Sequence, residues 1–179
     1  MTATLAAKPT TAADAALTTG HRLGGKYLTF RLGKVEFGLG ILKVREINKI
    51  IDITAVPKMP PYMKGVINLR GKVVPVIDLR LKFGLPETPY TDQTCIIIVN
   101  VGHQIGIIVD TVSEVLEIAG EHIDPPPTLS ATVDTTFILG MGKVGEAVKI
   151  LLDVDRILNT DELGDVSAAL EQTNPDAHT

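Results

Sequence analysis

The chain has 179 residues, of which 45% are hydrophobic, 4% are aromatic and none is tryptophan. A chain of this length folds as one domain or as two small subdomains around one core, and an interior of Val, Ile and Leu favours strands. No apolar run reaches the roughly 18 to 20 residues of a membrane helix, and no Lys/Arg cluster with interleaved aromatics indicates nucleic-acid binding, so we expect a soluble, β-rich, cytoplasmic protein.

The net charge of −4 conceals two halves of opposite sign. Residues 1–82 contain 14 Lys and Arg and 5 acids, whereas residues 83–179 contain 3 Lys and Arg and 16 acids. Lobes of opposite charge favour head-to-tail association of one copy with the next or with a relative. Ordinary solvated faces and an acidic C-terminal tail explain the same counts, and the sequence leaves both interpretations open.

The predicted elements begin after a flexible N-terminal tail, residues 1–25, which lacks the leucine-rich core of a signal peptide. Two strands with alternating apolar residues follow, YLTFRL and KVEFGL, joined by a Gly-Lys turn, and REINKIIDI predicts a third strand. The hairpin GVINLRGKVVPVIDL comes next. Asp78, before LRLKFG, predicts a short helix that it caps and that ends at Gly84.

The same order of elements recurs further along the chain. FGLGILKVREI, from Phe37, matches IGIIVDTVSEV, from Ile105, at an offset of 68 residues. RGKVVPVIDL matches MGKVGEAVKILLDV, with an offset that grows from 71 to 75. We therefore predict two similar units, near residues 27–84 and 94–157, within one domain over 26–159, and a C-terminal helix or tail over 160–179.

Each unit contains about five strands, the number at which a small sheet can close into a barrel and hide its edges. Strands such as VVPVI are apolar on both faces and need cover on two sides. The predicted fold is therefore mostly β. It consists of two five-stranded β-barrel subdomains packed around a shared aliphatic core, with short helices and a C-terminal helix.

Catalytic and cofactor motifs give little support for an enzyme. GMGKVG, residues 140–145, formally fits a dinucleotide-binding pattern, but the following EAVKILLDV predicts a strand where such a site needs a helix. The four histidines are far apart and lack metal-ligand spacing, and Cys95 is expected to be a buried small hydrophobe. We predict a non-enzymatic binding protein without a cofactor; a small nucleotide-binding enzyme using GMGKVG is the alternative from another class.

One cation, Arg70, stands at the tip of the most regular hairpin. Gly71 beside it can take a left-handed conformation, as in a type I turn with a glycine bulge, and a rigidly held guanidinium offers five donors to the carboxylates or carbonyls of a partner. A solubilising role in a wet turn is the other interpretation. The repeat alignment places Met141 at the equivalent position, so the barrel itself does not require arginine, and this favours recognition.

Four segments together resemble the CheW family of chemotaxis coupling proteins: YLTFRLGKVEFGLGILKVREI, MPPYMKGVINLRGKVVPVIDLRLKFG, IGIIVDTVSEVLEI and ILLDVDRIL. The resemblance covers about residues 26–159. It implies two intertwined SH3-like barrels and an adaptor that couples the cytoplasmic tips of transmembrane chemoreceptors to the regulatory domain of the histidine kinase CheA. That kinase domain is itself similar to CheW, so the resemblance also implies rings in which the two alternate, and self-association of the chain in rings is a further expectation. A CheW-like module of another chemosensory-type pathway, with surface motility or second-messenger output, is the nearest alternative.

The resemblance also implies which residues bind partners. They are Asn68, Arg70 and Gly71 in the loop that the family uses in kinase control and receptor coupling, Val44, Glu46 and Gly65 near partner surfaces, and Gly106, Val112 and Val115 in a receptor-facing groove between the barrels. The implied location is the cytoplasm, with recruitment to membrane-associated receptor arrays and without insertion into the membrane.

Overall fold

The computed structural model describes residues 23–126 and 137–157, which form eleven strands and two four-residue α-helices. The first unit contributes β1 (Gly25–Leu32), β2 (Val35–Gly40), β3 (Val44–Lys49), β4 (Met63–Leu69), β5 (Lys72–Asp78) and α1 (Leu79–Lys82). The second contributes β6 (Cys95–Asn100), β7 (Gln104–Val109), β8 (Thr111–Ile118), β9 (Ile123–Asp124), β10 (Ile138–Val144), β11 (Ala147–Leu152) and α2 (Val154–Ile157). The prediction of a mostly β protein with short helices is confirmed.

Two predicted terminal elements lie outside the described residues. They are the N-terminal tail, apart from residues 23–25, and the C-terminal helix over 160–179. Within the described ranges, no helix is long and apolar enough to cross a membrane.

The strands form two sheets that exchange hairpins. The six-stranded sheet has the order β8-β1-β2-β11-β10-β9 and the five-stranded sheet has the order β3-β6-β7-β5-β4. The β1–β2 hairpin of the first unit therefore lies among strands of the second, and the β6–β7 hairpin lies among strands of the first. The exchange creates two parallel contacts, between β2 and β11 and between β5 and β7. The two units are thus interlocked.

Each strand of the five-stranded sheet has an equivalent in the other sheet. The two sheets have the same strand order when equivalent strands are matched, with β9 added at the end of the six-stranded sheet. In that order, β3, β6, β7, β5 and β4 correspond to β8, β1, β2, β11 and β10. The register shifts at Gly65 and Gly140 fall at equivalent places. The sequence repeat therefore corresponds to a pseudo-twofold relation between the two halves of the fold.

Neither sheet closes through a complete ring of strand pairs within the described residues. In the five-stranded sheet, the chain leaves one edge at β3 and returns to the other edge at Thr54, whose N–H and C=O bond Val66 of β4 at 2.8 and 2.9 Å. In the six-stranded sheet, β9 makes the corresponding return from β8 to β10. The chain itself joins the two edges of each sheet, and this replaces the closed ladder expected from the strand count.

Three groups of buried side chains fill the molecule. The largest group lies between the two sheets and includes Phe30, Phe37, Ile97 and Ile107. A second group fills the interior of the five-stranded sheet and includes Ile67, Val76 and Ile96. The third fills the interior of the six-stranded sheet and includes Tyr27, Ile118 and Leu151. Neighbours on β6, Ile96 and Ile97, belong to different groups because successive strand residues point to opposite faces. This explains the strands that are apolar on both faces, and it confirms the shared aliphatic core.

Each of the two short helices begins at an aspartate that caps its first turn. Asp78 Oδ1 accepts hydrogen bonds from the backbone N–H groups of Arg80 at 2.9 Å and Leu81 at 3.4 Å, as predicted for a capping residue. Asp153 Oδ1 accepts from the backbone N–H of Asp155 at 3.1 Å. These two aspartates occupy equivalent positions in the repeat, so both helices start in the same way.

Cys95 is only half-buried, at the first residue of β6. Its Sγ lies 3.3 Å from the carbonyl oxygen of Gln93, in the preceding loop. The prediction of a buried hydrophobe is therefore wrong, because the end of the strand leaves one side of the thiol uncovered.

Candidate functional site

The turn between β4 and β5 holds Arg70 in a left-handed backbone conformation. Arg70 and Gly71 have φ angles of 55° and 88°, and Leu69 pairs directly with Lys72, so the loop has two residues with positive φ, as in a type I′ turn. The predicted type I turn with a glycine bulge is wrong. Asn68 Oδ1 accepts a hydrogen bond from the Gly71 N–H at 2.8 Å, which fixes the turn.

Met141 is not the counterpart of Arg70. Met141 lies within β10, whose hairpin turns after Val144, where Gly145 has a φ of 62°. At a constant offset of 75 residues, Gly145 therefore occupies the place of Arg70. The sequence alignment was wrong at this turn, but its consequence holds: a glycine serves equally well in this hairpin geometry, so the turn itself does not require arginine.

The Arg70 guanidinium makes two hydrogen bonds to Glu46 of β3. Nη2 donates to Oε2 at 2.5 Å and Nη1 donates to Oε1 at 3.2 Å, which is the paired geometry that arginine and a carboxylate favour. Asn48 Nδ2 donates to the same Oε1 at 2.8 Å. The hydrogen bond from Arg70, followed by that from Asn48, holds the pKa of Glu46 below its ordinary value.

This ion pair connects the two edges of the five-stranded sheet, because β3 and β4 stand first and last in its order. The Arg70 side chain is 72% exposed and that of Glu46 is 27% exposed. Water screens a pair of this kind, so its contribution to stability is small. Its main consequence is to hold an exposed guanidinium in one orientation above the end of the sheet.

A second feature is a pair of equivalent apolar sites on two edge strands, which we together call the edge patch: Val44 and Ile47 of β3 and Val112 and Val115 of β8. These side chains lie on the sheet faces that line the shared core, because each is paired across the strands with a residue of that core. Val44 pairs with Val99 and Ile47 with Ile97. Val112 pairs with Phe30 and Val115 with Leu28. Val44 and Val112 are partly buried against that core. Ile47 and Val115 are 43% and 49% exposed. The patch therefore has two equivalent halves, one on each edge strand.

The two halves of the edge patch carry opposite charges. Arg45 and Lys49 are exposed on β3, whereas Glu114 and Glu117 are exposed on β8. A partner that contacts both halves therefore meets apolar side chains flanked by cations on one strand and by carboxylates on the other, which selects the orientation in which it docks.

Two glycines from the predicted site are buried. A Cβ at Gly65 would lie 2.0 Å from the carbonyl oxygen of Thr54, so glycine is needed where the chain crosses β4. A Cβ at Gly106 would lie 2.8 Å from the Cγ2 of Ile96, inside the five-stranded sheet. Packing accounts for both glycines, and neither belongs to the edge patch; a direct contact with a partner at either position stays a prediction.

The remaining predicted residues fall into two groups, of which only the first is joined by hydrogen bonds among its own members. The hairpin site contains Asn68, Arg70, Gly71 and Glu46, and the edge patch contains Val44, Val112 and Val115. Sequence reasoning missed Asn48 and Ile47. Ile47 was detectable, because the 68-residue offset pairs it with Val115.

The GMGKVG segment, residues 140–145, spans the end of β10 and its turn, and the next element is β11. A dinucleotide site of this pattern places the glycines at the start of a helix, where the backbone N–H groups meet the phosphates. This segment has no such geometry, since its residues 140–144 pair with β11.

Comparison with known proteins gives consistent matches. The model of the CheW-like domain matches residues 26–162. The chain is 41% identical to the chemotaxis protein CheW of Klebsiella aerogenes over 145 residues, covering 80% of this chain and 87% of that protein. It is 39% identical to the chemotaxis protein CheW of Helicobacter pylori, covering 76% and 82%. The crystal structure of the scaffolding protein TtCheW from Thermoanaerobacter tengcongensis matches with a TM-score of 0.71 and 35% identity, covering 78% of this chain and 96% of that one.

Proposed function

The chain belongs to the CheW-like domain family, and we propose that it serves in chemotaxis signalling as a non-enzymatic adaptor whose two surfaces dock different proteins. The observation that carries this proposal is the position of β3. Val44 and Ile47 of this strand belong to the edge patch, while Glu46 between them holds Arg70. One strand therefore takes part in both surfaces.

We assign the edge patch to the cytoplasmic tip of a chemoreceptor. A helical tip presents apolar side chains along one face, which suits a surface with two apolar halves beside a rigid core. Covering the exposed parts of Ile47 and Val115 would contribute about 1 kcal/mol each, since full burial of such side chains contributes about 1.5–3 kcal/mol. The flanking charges would set the orientation of the helix.

We assign the Arg70 hairpin to the regulatory domain of the histidine kinase CheA. An exposed arginine held at a fixed angle suits carboxylates and backbone carbonyls of a partner, because little rotamer entropy is lost on binding. The adaptor would change kinase output by favouring one conformation of the kinase through differential contact. The chain would act in the cytoplasm, at membrane-associated receptor arrays. A CheW-like role in another chemosensory-type pathway would use the same two surfaces.

The test of this proposal is reconstitution of a receptor signalling fragment, CheA and this protein, with kinase autophosphorylation as the readout. The wild-type protein should raise receptor-linked kinase output, and Arg70→Ala should reduce that increase several-fold while remaining folded. Lys34→Ala, which removes an exposed cation from the β1–β2 turn, is the matched control and should behave like the wild type. Equal output from Arg70→Ala and the wild type would refute the role of the hairpin.

We further propose that copies of the chain associate head to tail in rings, using the basic first half of one copy and the acidic second half of the next. Attraction between exposed charges weakens as salt shortens the Debye length to about 3 Å at 1 M. Light scattering of the purified protein should therefore detect oligomers at low ionic strength that dissociate in high salt. A mass that is monomeric at every salt concentration would contradict self-association of the isolated chain.

A further inference from the structure

The turn that leads into β3 presents a leucine to solvent. A single 3₁₀ turn, Ile41–Lys43, links β2 to β3, and Leu42 at its centre is 96% exposed. The other exposed large hydrophobic residues of the described ranges are 53% exposed or less. One exposed leucine is common on a protein surface, so its meaning depends on how it is held and on what stands beside it.

The backbone on both sides of Leu42 is fixed. Ile41 packs against the shared core, and its carbonyl oxygen accepts a hydrogen bond from the Val44 N–H, which closes the turn. On the other side, Lys43 Nζ lies 2.8 Å from Asp155 Oδ2 in the first turn of α2. Leu42 is therefore presented on a rigid support, and a partner that covers it orders little further backbone in this chain.

The pseudo-twofold relation gives Leu42 a counterpart of different character. An offset of 68 residues relates it to Asp110, and each of the two stands just ahead of an edge strand. The Asp110 carboxylate accepts hydrogen bonds from Arg80 and from the Gly33 N–H. The β3 half of the edge patch thus follows an exposed leucine, whereas the β8 half follows an aspartate that is already paired within the chain.

The side chains of the β3 half are spaced much like the turns of a helix. A bulge at Arg45 places Val44 and Ile47 on the same face, opposite two shared-core residues of β6. Side chains two positions apart on one face of a strand are separated by about 7 Å, and side chains on successive turns of an α-helix are about 5–6 Å apart. A helix that lies along β3 can therefore meet Ile47, Val44 and Leu42 with side chains from successive turns.

We propose that Leu42 is an anchor for the helical receptor tip and makes the β3 half of the edge patch the main receptor-binding half. This inference rests on the proposed function and extends the receptor-binding surface beyond the edge patch. The tip passes Val44 and covers Leu42, whereas a tip docked in the pseudo-equivalent way on β8 meets the ion pair of Asp110. Because only one half follows a leucine, the two orientations of the tip differ in stability, and one is selected.

The test measures binding of a chemoreceptor signalling fragment to the full-length chain, with circular dichroism to establish that each variant is folded. Leu42→Ala removes most of the exposed apolar side chain and should weaken receptor binding about tenfold, which corresponds to about 1.4 kcal/mol. Leu42→Met keeps an apolar side chain of similar volume and should bind like the wild type. Val148→Ala, at a residue that is 53% exposed on β11, is the matched control and should also bind like the wild type. Leu42→Ala should leave binding of the CheA regulatory domain unchanged.

A second measurement detects the contact directly, by thiol labelling in a Cys95→Ser background. The thiol introduced by Leu42→Cys should react with a maleimide several-fold more slowly when the receptor fragment is bound. The thiol introduced by Val148→Cys should react at the same rate with and without the fragment.

The outcomes separate this inference from the proposed function. If Val115→Asp weakens receptor binding and Leu42→Ala does not, Leu42 is not an anchor, although the edge patch still binds the receptor. If neither substitution weakens receptor binding, the assignment of the edge patch to the receptor is wrong and the inference fails with it. If Leu42→Ala leaves receptor binding intact but reduces self-association in light scattering, a second copy covers the leucine, and the inference is also overturned.

Discussion

Arg70 is held by the conformation of its own backbone and by Glu46 of β3. Positive φ is uncommon for a residue with a side chain, and Arg70 adopts it at the turn while Glu46 binds its guanidinium. Strained residues of this kind concentrate at functional positions. Sequence alone predicted that Arg70 is exposed at a turn. It did not predict Glu46 as its partner, because β3 and β4 meet only when the sheet curves and brings its edges together.

Asp110 forms a second ion pair, which links the two sheets. Its carboxylate accepts hydrogen bonds from Arg80 Nε at 2.7 Å and Nη2 at 2.9 Å, and from the Gly33 N–H at 2.7 Å. Arg80 follows β5 of the five-stranded sheet, whereas Gly33 lies in the β1–β2 turn of the six-stranded sheet. Burial acts to raise the pKa of Asp110, but the hydrogen bonds from Arg80 and Gly33 outweigh it and lower the pKa below 3.8.

Asp110→Asn should therefore lower stability in a pH-dependent way. The folded-state pKa of Asp110 lies below the unfolded one, so its stabilisation is present above the unfolded pKa and is lost as pH falls through the folded pKa. At pH 7 we expect a loss of about 1–3 kcal/mol in the free energy of unfolding, the usual contribution of hydrogen bonds to a charged group. Urea unfolding at pH 7 and near pH 3 measures this, and the difference from wild type should shrink at the lower pH. A difference that is the same at both pH values would contradict the role of the charge; Asp92→Asn, in an exposed loop, is the control.

At the scale of elements, the sequence predicted the strands better than their partners. Periodicity identifies which face of a strand is apolar, and the repeat identifies equivalent strands. Neither reveals that β1 and β2 pair with β8 and β11 of the other unit, because the same side chains are buried whether hairpins stay in their own unit or are exchanged. The resemblance to CheW proteins implied that the two barrels are intertwined, whereas the repeat pattern did not.

Gly65 tests the connection that joins the edges of the five-stranded sheet. A Cβ at this position would lie 2.0 Å from the Thr54 carbonyl oxygen, and the φ of 143° is unfavourable for other residues. Gly65→Ala should therefore destabilise the fold by about 2 kcal/mol or more, as expected for overpacking and backbone strain. Thermal unfolding measures this. Gly40→Ala is the control, because a Cβ there meets no atom within 4 Å; similar effects of the two substitutions would contradict the packing argument.

For the whole molecule, the aliphatic composition was a sound guide, whereas the two oppositely charged halves do not form separate lobes, because the sheets exchange hairpins. The composition predicted a shared apolar core, which exists because both faces of β6 and β7 are covered. The charge division is visible in the exposed cations of β3 and the exposed acids of β8. The edge patch was only partly predictable. The 68-residue repeat identifies β3 and β8 as equivalent strands, but the repeat does not show that the exchange of hairpins places both beside one core.

The central claim is that the edge patch and the Arg70 hairpin, which meet at β3, are two separable docking surfaces. The most direct measurement is a crossed binding experiment with a receptor signalling fragment and the CheA regulatory domain, using wild type, Val115→Asp and Arg70→Ala. Val115→Asp should weaken receptor binding at least tenfold and leave kinase binding intact, whereas Arg70→Ala should weaken kinase binding and leave receptor binding intact. If both folded variants lose the same partner, or if neither loses any, the claim of two separate surfaces is wrong.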